Sequence, residues 1–272
     1  SIIIGVSGGP DSTCLLQVLA SIGAKYQWKL RIAHVNYRLR GKESDADEAF
    51  VRKLSEKYSI PLSVTHPNVS KRTANLEEKL RDIRYRFFES LRKRHRFHFI
   101  AVGHTLDDQA ETVLFRLIRG AGPRGLSAML PKNGFLIRPL LETPRANILK
   151  YLEEQGLPYR TDQSNTDPKF TRNRIRNELL PLLETFNPKI RHALKRTALS
   201  CHREQGSAMR DLFRALSISS AEKRPPSWSS TEEFLKFVSG KKPKHAKKSF
   251  PGLNIERKGD TVQILLRGKN RV

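Results

Sequence analysis

Short apolar runs alternate with amphipathic stretches over the first 140 residues of the chain. The runs are rich in β-branched residues and are bounded by Gly or polar residues, which is typical of buried strands. We predict strands at residues 2–6, 30–35, 62–65, 97–102 and 136–141. Helical spacing of apolar residues between them predicts an α/β fold, a twisted parallel sheet with helices on both faces. Pro139 has no amide hydrogen, which places the last strand at a sheet edge.

The loops that follow the strands are the expected ligand-binding positions. In a parallel sheet of this kind, ligands bind beyond the carboxyl ends of the strands, where the loops after Val6, Val35 and Val102 converge. Ser44 and Asn75 are each followed three residues later by an acidic residue, the spacing of a helix cap. Both are therefore predicted to begin helices.

The pattern changes after residue 142. Thr143 to Gly156 has the limits of a helix, and a second helix begins at Pro188. Residues 217–230 have the composition of a linker, and a short helix, a basic stretch and a hairpin about residues 258–260 follow it. We predict three parts: a sheet domain at 1–142, a helical region at 143–216, and a linker with a small basic α+β segment at 217–272.

The net charge of the chain indicates what kind of partner it binds. The 272 residues contain 51 Lys+Arg and 27 Asp+Glu, a formal net charge of +24, and 38% hydrophobic residues, which is enough for a folded core. The two parts on either side of residue 150 each carry +12, so the excess does not come from a tail. Such a charge favours a polyanionic partner.

Cysteine content and hydropathy limit the location. Two cysteines, Cys14 and Cys201, cannot build a disulfide framework, which favours a reducing cytoplasm. No apolar run is long enough to span a membrane, so no membrane partner is expected. Because the chain opens at Ser1 without an initiator Met, we expect the natural N-terminus to be longer.

The loop after the first strand carries the clearest chemistry. Ser7, Gly8 and Gly9 lie between a strand and a helix, where backbone amides and the helix N-terminus attract an anion. Ser12 adds a hydroxyl, and Asp11 beside a phosphate requires a metal ion between the two anions. The GxxxxGK[ST] pattern is absent, which disfavours P-loop chemistry. The alternative is a tight turn with a capped helix.

Three carboxylates crowd the start of another predicted helix. Thr105 and Asp108 have capping-box spacing, so Asp108 has a structural interpretation as a cap. Asp107 and Glu111, however, are neighbours one turn apart and repel each other. In so basic a chain, this concentration of negative charge favours a bound cation, either Mg²⁺ or the ammonium of a substrate.

Several ordered blocks resemble known enzymes. The SGGxDS loop resembles that of the N-type ATP pyrophosphatase (PP-loop) superfamily. The blocks HVNYRLR at 34–40, GHTLDDQAET at 103–112, RPLL at 138–141, DQSN at 162–165 and RNRIR at 172–176 are similar to those of the tRNA(Ile)-lysidine synthase family, in its compact form. Tyr37 and Thr105 depart from that pattern, since the family commonly has His at both positions.

The resemblance implies a reaction and roles for residues. ATP, with Mg²⁺, would adenylylate O2 of the wobble cytidine in tRNA(Ile) with a CAU anticodon, and L-lysine would then displace AMP. Its implied catalytic residues are Asp11, which holds the metal, Asp108 and Glu111. Its implied ATP-binding residues are Ser7, Gly8, Gly9, Asp11, Ser12, His34, His104 and Arg174. Its implied substrate and tRNA contacts are Arg40, Arg84, Arg116, Asn165, Arg172, Asn173 and Arg176.

Three other functions stay open on the residues alone. A tRNA 2-thiolation enzyme uses the same adenylate chemistry, but its common form needs two reactive thiols near the site. A small-molecule synthetase has no use for the charge of +24. A non-catalytic RNA-binding module would not need Asp11, Asp108 and Glu111. The sequence does not decide the oligomeric state, a homodimer included.

Overall fold

The computed structural model describes residues 1–70, 73, 75–161, 171–202, 245–250, 253–258 and 261–266, the last three ranges by their backbone alone. The chain divides into two compact units, Ser1–Leu199 and Ser200–Val272, each described by itself. The predicted boundaries at residues 142 and 216 stay predictions.

The first unit contains a six-stranded sheet. Its strands are β1 (Ile2–Gly5), β2 (Leu30–Val35), β3 (Leu62–Thr65), β4 (Phe99–Ala101), β5 (Lys132–Asn133) and β6 (Leu136–Ile137). They lie in the order β3-β2-β1-β4-β6-β5, and all neighbours are parallel except β5 and β6. The chain runs outward from β1 to β3 and returns on the other side of β1 at β4. The carboxyl ends of the neighbouring strands β1 and β4 are therefore at the switch point, where such sheets bind ligands.

Helices connect and follow the strands. They are α1 (Pro10–Lys25), α2 (Lys42–Tyr58), α3 (Leu76–Arg94), α4 (Leu106–Ile118), α5 (Pro123–Leu126), α6 (Arg145–Glu154), α7 (Thr171–Arg174) and α8 (Leu180–Phe186). A π-helical turn, Ile175–Leu179, joins α7 to α8, and residues 190–199 are again helical. None of the helices that the structure describes is long and apolar enough to cross a membrane.

Alternate strand residues pack against opposite faces of the sheet, as their two-residue period requires. Ile2 and Ile4 pack on the face that α1, α2 and α6 cover. Ile3 packs on the other face, against Phe88 and Leu91 of α3. The predicted parallel sheet with helices on both faces is thus confirmed, and the helical region follows it as predicted.

Some predicted limits are wrong. The predicted strand at 97–102 narrows to Phe99–Ala101, and that at 136–141 ends at Ile137, before Pro139. The edge position predicted for this last strand belongs to β5, because a hairpin through Gly134, at φ +59°, adds two residues outside β6. Pro139 follows the strand and occupies no ladder position.

The predicted helix caps at Ser44 and Asn75 also differ from those in the structure. Helix α2 begins at Lys42, and the Ser44 hydroxyl accepts a hydrogen bond from the Arg40 amide. Asn75 precedes α3 as predicted, but it has φ +50° and its side chain makes no capping bond. The local spacing therefore predicted both helices correctly, but the capping hydrogen bonds that it predicted for their first turns are wrong.

The second unit contains a three-stranded antiparallel sheet. Its strands are β7 (His245–Phe250), β8 (Leu253–Lys258) and β9 (Thr261–Leu266), in that order. Lys258 pairs with Thr261, which confirms the predicted hairpin, and the end of the basic stretch forms β7. The predicted linker and short helix lie outside the described residues.

Candidate active site

The loop after β1 closes on itself through serine hydroxyls. The Ser12 hydroxyl accepts a hydrogen bond from the Ser7 amide at 3.1 Å and donates to the Gly9 carbonyl at 3.0 Å. The two serine hydroxyls lie 3.1 Å apart. Ser12 is buried, whereas Ser7 is exposed. Of the two hydroxyls, that of Ser7 is therefore the one open to a ligand in this state.

Gly8 sets the direction of the loop amides. It has φ +94°, a conformation that strains any residue with a Cβ. Its carbonyl accepts hydrogen bonds from the Arg160 amide at 2.9 Å and from the Thr13 hydroxyl at 3.3 Å. Because C=O and N–H point in opposite directions across one trans peptide, these bonds turn the Gly9 N–H away from Arg160 and Thr13. In this state the Gly9 amide donates a long hydrogen bond to the Ser7 hydroxyl, at 3.4 Å, and an anion that replaced this bond would find the loop in the form of an anion cradle.

Asp11 lies in the first turn of α1, directly after this loop. Its Oδ1 is buried and has no hydrogen-bond partner among the described residues, and its Oδ2 lies 3.7 Å from Nη1 of Arg145. Burial raises the pKa of Asp11 to about 6, against the lowering effect of Arg145, and the charge of Asp108 raises it further. An unpartnered carboxylate oxygen beside an anion cradle fits a cation.

A cavity of about 210 Å³ opens at the switch point beside the loop. Its lining comes from the ends of β1, β2 and β4 and from one side of α3, and it includes Ser7, Gly9, Asp11, Tyr37, Arg84 and His104. Gly103 lies against α1 so closely that a Cβ there would sit 3.0 Å from the Asp11 carbonyl oxygen. The loops after β1, β2 and β4 therefore converge as the sequence predicts.

The two histidines predicted to bind ATP have different surroundings: His104 lines the cavity, and His34 is not among its described lining residues. Nδ1 of His34 lies 2.8 Å from the Val6 carbonyl and so carries the proton, and burial lowers the pKa of this buried imidazole. Nδ1 of His104 accepts from Nε of Arg138 at 3.2 Å, which leaves the proton on Nε2. Desolvation and the charges of Arg138, Arg81 and Arg84 lower the pKa of His104 to about 3. Both imidazoles are neutral at pH 7.

The start of α4 is a capping box that also bears the carboxylate cluster. The Asp108 amide donates to the Thr105 hydroxyl, and Oδ2 of Asp108 accepts from the Thr105 amide at 2.8 Å. Thr105 is thus the helix cap at one of the two positions where the resembling family has His. The other departure, Tyr37, donates its hydroxyl to the Leu80 carbonyl.

Arginines of the chain itself face all three carboxylates. Arg176, in the π-helical turn, donates to both oxygens of the buried Glu111, from Nε at 2.6 Å and from Nη2 at 2.9 Å, and its Nη2 lies 3.6 Å from Oδ1 of Asp108. Asp107 pairs with Arg191 at 2.8 Å and accepts from the Arg145 amide at 2.7 Å. In this state, guanidinium groups of the chain itself provide the positive charge that the carboxylate cluster at the start of α4 requires.

The remaining predicted contacts are spread over the first unit. Arg172 pairs with Glu77, and the exposed Arg174 pairs with Glu178, so the three arginines of residues 172–176 have different partners as their spacing implies. Asn173 lies between Arg172 and Arg174 in α7. Arg40 pairs with Asp47 at 2.5 Å, and Arg116 donates to the Gly125 carbonyl at 2.6 Å. Asn165 lies outside the described residues.

Sequence reasoning missed four arginines that hold the site: Arg138, Arg145, Arg160 and Arg191. Each lies far along the chain from its partner, and Arg160 bonds Asp47 and Glu43 of α2 as well as Gly8. In a chain with 51 basic residues, a single arginine has no signal that separates it from a solvated surface. The RPLL sequence at Arg138 was the one available signal, as part of the resemblance.

The chain is similar to curated tRNA(Ile)-lysidine synthases, of which three are compared with it. The protein of Bacteroides thetaiotaomicron is 41% identical over 201 residues, that of Geobacter sulfurreducens 44% over 204, and that of Chlorobaculum tepidum 40% over 201. Each alignment covers 72% of this chain, and respectively 46%, 43% and 61% of the relative. The chain thus spans about half the length of the curated relatives it matches.

A solved structure and a domain family match the same region. The U34-tRNA thiolase NcsA of Methanococcus maripaludis superposes with a TM-score of 0.61 at 23% identity, over 73% of this chain and 70% of that one, which supports the fold. The PP-loop domain family matches residues 1–183, which include the glycine loop, the cavity and the carboxylate cluster. The chain belongs to the PP-loop domain family.

Proposed function

We propose that this protein is an ATP-dependent ligase that joins L-lysine to C2 of the wobble cytidine in tRNA(Ile) with a CAU anticodon. The observation that carries the proposal is one site at the switch point, in which an anion cradle lies beside Oδ1 of Asp11, an oxygen without a hydrogen-bond partner among the described residues. The Asp108 carboxylate is near enough for its charge to raise the pKa of Asp11. The similarity to tRNA(Ile)-lysidine synthases over 72% of the chain supports the choice of substrates.

In the first step, O2 of the cytidine attacks the α-phosphorus of ATP, the bond between the α- and β-phosphates breaks, and pyrophosphate leaves. The amides of Gly8 and Gly9 and the Ser7 hydroxyl bind phosphate oxygens. Asp11 would hold Mg²⁺, which would supply positive charge against the phosphates when bound. Arg84 and the Nε2–H of His104, both on the cavity wall, are donors for the nucleotide.

In the second step, the ε-amine of lysine attacks C2, the C2–O2 bond breaks, and AMP leaves with O2. Asp108 and Glu111 would bind the lysine as an ammonium before the attack. Because Arg176 occupies both oxygens of Glu111, the ammonium must replace this guanidinium. The amine has an ordinary pKa near 10.4, so it must lose a proton before it can attack.

The alternative of 2-thiolation is disfavoured by the thiols. Cys14 is buried in α1, and burial raises the pKa of its thiol, so little thiolate forms at pH 7. Cys201 is the second cysteine of the chain and belongs to the other unit. Cys14 is therefore a poor nucleophile for sulfur transfer.

The two steps can be tested separately with ATP labelled at its α-phosphate. Without lysine, we expect RNase-sensitive label on a tRNA(Ile) transcript with a CAU anticodon. Addition of lysine should release this label as AMP, and addition of sulfide should not. Release of the label by sulfide, or AMP formation without tRNA, would contradict the proposal.

A further inference from the structure

A second cavity, of about 480 Å³, lies at the opposite end of the sheet from the glycine loop. Its walls come from the segments that precede strands: Trp28 and Lys29 before β2, Ile60 before β3 and Phe97 before β4. Parallel strands begin at one edge of a sheet, so this groove lies at their amino ends. The proposed reaction makes no use of it. We call this cavity, together with Tyr26 beside it, the amino-end groove.

Aromatic rings are exposed along the amino-end groove. The Tyr26 and Trp28 rings stack, with centroids 6.0 Å apart and planes at 27°, and 60% of Tyr26 and 40% of Trp28 remain exposed. Tyr58, the last residue of α2, forms a further part of the wall. Stacked and exposed aromatic rings present flat surfaces on which a planar ligand can continue the stack.

Cations accompany these rings. Lys29 and Arg31 line the groove, and none of its described lining residues is a carboxylate. The ammonium of Lys25 lies 5.4 Å from the Tyr26 ring centroid, and that of Lys57 lies 5.3 Å from the Tyr58 centroid. The groove therefore combines positive charge with aromatic surfaces.

The positive charges of the amino-end groove lie close enough together to affect the same neighbouring group. Nε of Arg31 is buried and has no hydrogen-bond partner among the described residues, although Nη1 donates to Ser63. The pKa of His95 is lowered by desolvation first and then by the charges of Arg31, Arg94 and Lys29. An anion at the groove would relieve this repulsion.

From these features we infer that the amino-end groove binds single-stranded RNA, with bases stacked on Tyr26 and Trp28 and phosphates at Lys29 and Arg31. Aromatic stacking beside a basic groove is how proteins bind single strands without reading sequence. An acidic protein segment would use the cations but not the flat aromatic surface. The inference rests on the proposed function in taking the tRNA substrate as the source of this RNA.

Trp28 provides a direct signal for this contact. The chain has two tryptophans, and the Trp228→Phe variant leaves Trp28 as the one fluorophore of this type. In this variant of the chain, titration with an oligoadenylate of about eight nucleotides should quench the fluorescence saturably, since stacking brings a base onto the indole. Heparin, a polyanion without bases, should compete for the site but not quench by itself. Absence of quenching at RNA concentrations that saturate binding would overturn the inference.

Two variants extend the test to tRNA. Trp28→Ala and Lys29→Glu should each weaken tRNA binding about 5- to 10-fold, and the adenylylation rate at saturating tRNA should not change. Lys53→Glu, the same charge change on an exposed position of α2, is the control and should have a smaller effect than Lys29→Glu. Equal losses for Lys53→Glu and Lys29→Glu would overturn the inference.

The oligomeric state separates RNA from a second copy of the chain. Trp28→Ala should leave the mass in solution, measured by light scattering, unchanged. Conversion of a dimer to a monomer together with unchanged RNA affinity would identify the groove as a contact between copies and overturn the inference. Lysine transfer without Trp28 quenching would refute the inference alone, whereas quenching without lysine transfer would refute the proposed function alone.

Discussion

Arg160 connects the glycine loop to helix α2. Its amide donates a hydrogen bond to the Gly8 carbonyl, and its side chain pairs with carboxylates of α2. Its guanidinium bonds Asp47 at 2.9 Å and Glu43 at 2.6 Å, which fixes the amide that supports the Gly8 carbonyl. Arg160→Ala should raise the KM for ATP about 5- to 20-fold with little change in kcat, because it loosens the cradle without touching the reacting atoms. Arg160→Lys should recover part of this loss.

Steady-state pyrophosphate release measures the effect of Arg160→Ala. Lys150→Ala, which removes a cation that is mostly exposed on α6, is the matched control and should leave KM unchanged. A fall in kcat at constant KM would contradict a positioning role for Arg160.

Asp11 gives the second prediction at this scale. Asp11→Asn retains the shape of the side chain and removes its charge, so cation binding at the buried Oδ1 should be lost. We expect pyrophosphate release to fall at least about 100-fold and tRNA retention on filters to stay within about twofold, since phosphate contacts elsewhere supply the affinity. A parallel loss of both would place Asp11 in RNA binding.

Asp11 could be predicted from sequence, but Arg160 could not. The glycine loop with Asp11, and separately the cap formed by Thr105 and Asp108, are local patterns, each contained within a few consecutive residues. Arg160 reaches Gly8 only because the chain after α6 returns to the loop. Contacts of this length depend on tertiary packing, which the local pattern does not contain.

At the scale of elements, the π-helical turn Ile175–Leu179 brings Arg176 to Glu111 of α4. Glu111 is 4% exposed, and burial raises its pKa against the lowering effect of Arg176. Arg176→Ala should therefore cost about 3 kcal/mol in the free energy of unfolding, because it leaves a buried carboxylate unpaired. Glu111→Gln in the same chain should restore about half of this loss. Additive effects in urea unfolding would show that the pair is uncoupled.

Glu48 of helix α2 contributes to the stability of the fold in a pH-dependent way. Burial raises the pKa of Glu48, but hydrogen bonds from Asn36, Arg52 and His66 outweigh burial and lower it to about 2. A lowered folded-state pKa stabilises above the unfolded value near 4.5, and this stabilisation is lost as pH falls from about 4.5 to 2. The free energy of unfolding of Glu48→Gln should fall less steeply over this range than that of the unchanged protein. Parallel pH profiles would contradict the prediction.

The elements themselves were predictable where a pattern is long. The strands β1 and β2 lie close to their predicted limits, and helix α3 begins directly after Asn75 as predicted, because β-branched runs and helical spacing act locally. The two-residue strand β5 was not predicted, since it exists only by pairing with β6 through the turn at Gly134. Such short strands have too few residues to show a period.

For the whole molecule, the charge of +24 predicts how binding responds to salt. Release of counterions from tRNA should make the logarithm of the association constant fall linearly with the logarithm of salt concentration. Lys29→Glu should reduce the slope by about one unit or more, and Lys53→Glu should reduce it less. A slope near zero, measured by filter binding across salt concentrations, would show that the charge does not serve RNA binding.

The central claim is a ligation of lysine to one cytidine, and labelled lysine tests it most directly. The full chain is incubated with ATP, labelled L-lysine and tRNA(Ile) transcripts that carry CAU or UAU anticodons. We predict acid-stable, RNase-sensitive label on the CAU transcript alone, located at the wobble nucleoside by mass spectrometry, with AMP and pyrophosphate released in equal amounts. ATP turnover on the CAU transcript without incorporation of lysine would contradict the account.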